Sequence, residues 1–140
     1  MEKKILRSGF VGSGFAARFH YDALQHVFST KIEVAGVFSV ARQEAEDFAN
    51  QRNMVVFDTM DELIDASDVI HVCTPPVTHE EIVIAALAKN KNVIVEKPFT
   101  GYFGDGTKEF SGKTFSREEG LKHTVESVKR MLDAEKNSEG

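Results

Sequence analysis

The chain has 140 residues, a net charge of −5 and one cysteine. That length makes a single domain able to bury a core, and its apolar runs are too short to span a bilayer. The negative balance speaks against nucleic acid as a main partner, and a lone Cys73 forms no internal disulfide, as expected in a reducing compartment.

Two patterns alternate along the chain. Short β-branched apolar runs at Ile5 to Val11, Ile32 to Ser39, Met54 to Phe57, Val69 to Cys73 and Val93 to Glu96 read as strands buried on both faces of a parallel sheet. Amphipathic stretches lie between them. The first carries Ala16, Phe19, Ala23 and Val27 on one stripe, and the second Ala41, Ala45, Phe48 and Ala49. A short third starts after Thr59 as N-cap, and a fourth, with Val83, Ala86 and Leu87, is entered through Pro75-Pro76. Strict alternation implies right-handed crossovers, hence an α/β, doubly wound parallel sheet of Rossmann type with strand order 3-2-1-4-5 and helices on both faces. This core is expected over residues 1–98.

After Glu96 the rhythm breaks. Residues 99–116 are rich in glycine and threonine but hold Phe99, Tyr102, Phe103, Phe110 and Phe115, which argues against a disordered linker. A last helix over 117–136 is expected to pack on the core, with Ser116 and Glu119 as a capping box and Leu121, Val125, Val128 and Leu132 as its apolar stripe.

The first strand runs into Gly12-Ser13-Gly14-Phe15-Ala16-Ala17. In the context strand, tight turn, helix, this spacing is that of a dinucleotide-binding turn: Gly12 permits the turn, Gly14 lets a pyrophosphate approach, and Ala17 allows close helix–sheet packing. Phosphates would sit on the free N–H groups at the positive end of the helix, beside Ser13, Gly14, Phe15 and Ala16. The acid that grips the ribose in NAD sites is missing at the end of the second strand, where Phe38-Ser39-Val40-Ala41-Arg42 stands. Ser39 can bond a 2′-hydroxyl or a 2′-phosphate and Arg42 can pair with the latter, so the reading leans to NADP with NAD as the alternative. Arg42 reads equally well as a solvated residue of a first helical turn.

Further on come Cys73-Thr74-Pro75-Pro76 with His79, and then Glu96-Lys97-Pro98 at the carboxyl edge of the last strand. In order and spacing, these motifs together with the glycine turn resemble the glucose-fructose oxidoreductase, inositol dehydrogenase and MocA (Gfo/Idh/MocA) family of NAD(P)-dependent oxidoreductases over Ile5 to Pro98. The resemblance implies that Lys97 lies by nicotinamide and substrate and helps polarise or deprotonate the reacting hydroxyl. It also implies that Thr74, Pro75 and Pro76 line the cofactor pocket, bordered by Cys73, Glu96 and Pro98. His79 is expected either near the cofactor or simply as a residue at its helix N-terminus, and Cys73 also reads as a small core residue.

Members of that family continue into an α/β domain that supplies substrate contacts, and no such domain follows Pro98 here. A piece of a longer protein and a natural stub both remain open. Gly104-Asp105-Gly106 is only a turn, and His20, His26 and His123 lack metal spacing, so no metal is expected. His71 reads as a core or interface histidine. The leading expectation is the cofactor half of a cytoplasmic dehydrogenase that moves hydride between nicotinamide and a secondary alcohol of a sugar or cyclitol. Alone it should bind cofactor with little turnover. The alternative is a non-catalytic, redox-sensing dinucleotide module, and exposed aromatics leave homo-oligomerisation open.

Overall fold

The computed structural model describes residues 5–140, so the first four positions of the expected 1–98 core lie outside the described residues. Among the described residues four parallel strands form one sheet: β1 (Ile5–Val11), β2 (Lys31–Phe38), β3 (Val69–Val72) and β4 (Asn92–Val95), in the order β2-β1-β3-β4. Five α-helices connect and flank them: α1 (Phe15–Leu24), α2 (Arg42–Asn50), α3 (Met60–Asp65), α4 (His79–Ala88) and α5 (Arg117–Lys136). The Met54 to Phe57 strand is reduced to a single parallel bridge between Val56 and Val37, placed on the outer side of β2 as the expected order requires. Two hydrogen bonds hold it, from Val37 N–H to Val55 O and from Phe57 N–H to Val37 O, both 2.9 Å. No helix among the described residues is long and apolar enough to cross a membrane.

The two-residue period of the strands divides the core. Val11, Ile70 and Val72 point to one face, where α3, α4 and α5 deliver Leu63, Ile64, Ile82, Val83, Ala86, Leu87 and Met131. Phe10 and Cys73 point to the other, under Ala17 of α1 and Ala45, Phe48 and Ala49 of α2. Thr59 caps α3 with a full reciprocal box: its hydroxyl accepts Glu62 N–H while the Glu62 carboxylate accepts Thr59 N–H.

Two helices turn a different face inward from the one their apolar residues suggest. In α1 the buried residue is Ala17, with Ala16, Tyr21 and Leu24 packed beside it, whereas Phe19, Ala23 and, beyond the helix end, Val27 are exposed. In α5, Leu121, Val125 and Leu132 are exposed and the buried positions are Gly120, Ser127 and Met131. Small residues let α5 approach closely, and polar contacts orient it. Arg130 forks onto the Glu80 carboxylate of α4, and Ser127 shares a 2.9 Å hydrogen bond with Thr100. Of the Ser116 box, the half in which Ser116 Oγ accepts Glu119 N–H is formed, at 3.3 Å. The aromatics of 99–116 pack on one another and on α5: the Tyr102 ring lies edge-on to Phe110 and Phe115 and stacks on His123 at 4.8 Å.

Candidate functional site

The carboxyl ends of β1, β2 and β3 open onto a cleft of about 610 Å³. One wall is the β1–α1 turn. Gly12 has φ +99° and donates its N–H to Phe38 O at 2.8 Å. A Cβ at Gly12 would lie 2.7 Å from the Cys73 carbonyl oxygen, so this position requires glycine on two counts. Gly14 is the N-cap of α1 and makes no side-chain cap, leaving the N–H groups of the first turn without intrahelical partners. A Cβ at Gly14 would meet nothing within 4 Å, because that side of the turn faces the open cleft. Ser13, only 5% exposed, presents a buried hydroxyl with no hydrogen-bond partner in the protein. An unsatisfied hydroxyl beside free helix N–H groups is the donor set a diphosphate needs.

The second wall is the β2–α2 edge, with Ser39, Val40, Ala41 and Glu44. The Ser39 hydroxyl accepts Ala41 N–H at 3.2 Å, which leaves its own proton to donate. The third wall holds Cys73, Thr74, Pro75 and Thr78. Thr78 donates its hydroxyl to Thr74 Oγ1 at 2.8 Å, which fixes the Thr74 side chain. Burial, helped by the Glu96 charge, pushes the Cys73 thiol up to about 12, so it stays neutral.

The remaining sequence-predicted residues lie outside the cleft walls. Phe15 is 84% exposed at the start of α1, and Ala16 packs on the core. Arg42 is turned away: its guanidinium hydrogen-bonds Glu46 and Asp58 at 2.8 and 2.6 Å and also reaches Phe57 O. Pro76 opens the 3₁₀ turn Pro76–Thr78 that leads into α4. His79 is fully buried at the start of α4, with Nε2 2.9 Å from Thr74 O and Nδ1 3.3 Å from Phe99 O. It therefore joins the Thr74 loop to the chain after Pro98. Glu96, Lys97 and Pro98 follow β4, with Lys97 exposed and the Lys97–Pro98 peptide cis.

Sequence reasoning missed Glu44, Thr78 and Glu81 as cleft residues. Their signal was positional: each sits in, or just before, a first helical turn after a strand end. It also missed a contact chain behind the Glu-Lys-Pro segment. His20 Nε2 lies 2.8 Å from Glu96 Oε1, and His20 Nδ1 lies 3.0 Å from His71 Nδ1. The His20 hydrogen bond holds the Glu96 carboxyl below its ordinary range. Burial, with His20 beside it, lowers His71 to about 4. No group of three or more His, Cys, Asp or Glu among the described residues is arranged to hold a metal.

Residues 6–109 match the family GFO_IDH_MocA, an oxidoreductase family with an NAD-binding Rossmann fold. The chain is 39% identical over 90 residues to glucose-6-phosphate 3-dehydrogenase of Bacillus subtilis, covering 64% of this chain and 25% of that protein. An oxidoreductase structure from Thermotoga maritima superposes on 97% of the chain and 36% of its own length, with a TM-score of 0.70 and 27% identity. The myo-inositol dehydrogenase of Lactobacillus casei, solved in complex with NAD(H) and myo-inositol, has the same fold: TM-score 0.72 at 24% identity, over 96% of this chain and 34% of that one. The chain thus spans about a quarter to a third of the length of these proteins.

Proposed function

This chain belongs to the GFO_IDH_MocA oxidoreductase family, whose NAD-binding Rossmann fold it adopts, and on that premise we propose that it is the NAD(P)-binding part of a sugar or cyclitol dehydrogenase. The observation that carries this reading is the orphaned, buried Ser13 hydroxyl beside the uncapped start of α1, at the mouth of a cleft large enough for a nucleotide. The glucose-6-phosphate and inositol dehydrogenases among its relatives and fold neighbours support a polyol as substrate class.

When bound, a nicotinamide supplies the hydride chemistry. The residues of this chain do the rest. Ser13 and the N–H groups at the start of α1 bind the diphosphate. Ser39 donates to a ribose hydroxyl, and Thr74 and Pro75 wall the cleft on the side of β3. Lys97, exposed at the end of β4, polarises the reacting hydroxyl of the substrate and takes its proton. The matched 90 residues cover a quarter of the B. subtilis relative, and this chain by itself is expected to bind cofactor and turn over little.

Titration with NADH and NADPH, following nicotinamide fluorescence, tests the reading. Saturable binding of either supports it. Binding of neither to the folded chain overturns it.

A further inference from the structure

His20, His71 and Glu96 come from three separate elements and form one hydrogen-bonded row at the back of the Glu-Lys-Pro segment. The protons in that row are set by chemistry. A carboxylate only accepts, so the 2.8 Å contact with Glu96 requires the proton of His20 on Nε2. In the neutral ring that leaves Nδ1 as an acceptor, and the 3.0 Å contact is then filled by the Nδ1–H of His71. The second nitrogen of His71 is buried without a partner, and its ring stacks on Phe10 at 4.9 Å. With His20 neutral, His71 is the buried donor that holds His20 from behind, and His20 in turn holds Glu96. The backbone N–H and the charge of the neighbouring Lys97 also help to hold the Glu96 carboxyl below its ordinary range, after the His20 hydrogen bond.

We propose that His20 is a positioning residue for Lys97: by drawing the Glu96 carboxylate to α1, it fixes the Lys97 backbone and keeps that carboxylate from pairing with the Lys97 ammonium. The inference rests on the reading of Lys97 as the proton-handling group. The same helix carries the phosphate turn at its start, so one rigid element sets both the cofactor's anchor and the lysine that faces the substrate. The titratable groups gathered there are His20 on α1, His71 and Cys73 on or just after β3, and Glu96 and Lys97 after β4.

The test is the pH profile of Lys97 acylation by acetic anhydride in the full chain, read from the Lys97 peptide by mass spectrometry. In His20→Leu, Glu96 is released to the neighbouring ammonium, so the profile should move to higher pH and Lys97 should acylate several-fold more slowly at neutral pH. His20→Asn, polar but too short to reach Glu96, should do the same, and it keeps the test intact if the leucine variant fails to fold. His20→Gln, which offers an N–H at similar reach, should restore the wild-type profile, as should adding Glu96→Gln to His20→Asn. Folded His20 variants whose profile coincides with wild type overturn the proposal. NADH titration of the same proteins separates the two readings: loss of cofactor binding in wild type would overturn the cofactor-domain reading, whereas normal binding with an unmoved Lys97 profile would overturn only the role of His20.

Discussion

Arg42 is held by Asp58: its guanidinium lies 2.6 Å from the Asp58 carboxylate and 2.8 Å from that of Glu46, one turn along α2. The one cation that the end of β2 offers to a 2′-phosphate is therefore already neutralised, while Glu44 faces the cleft. Both pairs are solvent-exposed, and such pairs hold an arginine only weakly. Asp58→Asn combined with Glu46→Gln should free the guanidinium and raise the NADPH affinity relative to NADH by a few-fold. Paired fluorescence titrations read the ratio. An unchanged ratio would place Arg42 out of reach of the 2′ position.

The two glycines of the turn should fail differently. Gly12→Ala puts a Cβ 2.7 Å from a backbone oxygen and forces an alanine to φ +99°. The backbone term alone is about 1–2 kcal/mol, so a clear loss of stability is expected in urea denaturation. Gly14 has φ −79° and open space around it, so Gly14→Ala should leave the denaturation midpoint nearly unchanged. On the proposed reading its added methyl group would stand in the path of the diphosphate, and cofactor affinity should fall about ten-fold or more, as about 1.4 kcal/mol of lost contact would give. Equal stability losses in both variants would contradict this division of roles.

That difference between neighbouring glycines shows what the sequence makes legible. The turn is local: strand, Gly-x-Gly and helix lie within a few residues, so backbone chemistry alone identifies it. The strands are legible because burial on both faces leaves nearly continuous β-branched runs, such as Val69–Val72 with only His71 between its valines and isoleucine. Met54 to Phe57 has the same composition yet forms only one bridge, since pairing depends on how long a neighbour runs alongside. The inward faces of α1 and α5 were misjudged because Phe19 and Leu121 are apolar but exposed, whereas Gly120 and Ser127 are buried by close approach. Contacts such as Arg42 with Asp58, sixteen residues apart, or His20 with Glu96, seventy-six apart, have no local signature.

Met131 is where α5 enters the core. It is 1% exposed among Ile70, Val83 and Leu87, although most of the helix's larger apolar side chains face outward. Removing a buried methionine side chain typically costs about 2–5 kcal/mol. Met131→Ala should therefore lower the urea midpoint by a clear margin, while Leu132→Ala, next along the helix and half exposed, should change it little. A Met131→Ala protein as stable as wild type would mean that α5 adds nothing to the folding unit formed by the sheet.

His71 makes stability depend on pH. Burial first, then the neighbouring His20, lower it from its ordinary 6.5 to about 4. Between those values the unfolded chain binds a proton that the folded chain refuses. Stability from this source is therefore complete above about pH 6.5, falls as the pH drops towards 4, and falls no further below that. The integrated loss is about 3 kcal/mol. Glu96, depressed by its His20 hydrogen bond, shifts in the same direction, and its contribution is lost in a lower window, as the pH falls below the ordinary carboxylate range through its folded-state value. The two windows can therefore be separated by measuring urea midpoints at pH 7.5, 5.5 and 4.5. Wild type should lose stability across all three, and His71→Phe, which keeps the stack on Phe10 but has nothing to protonate, should show a much shallower slope. Parallel slopes for the two proteins would mean that His71 takes up its proton in the folded state, in which case the Nδ1–H donation to His20 would not depend on a neutral ring.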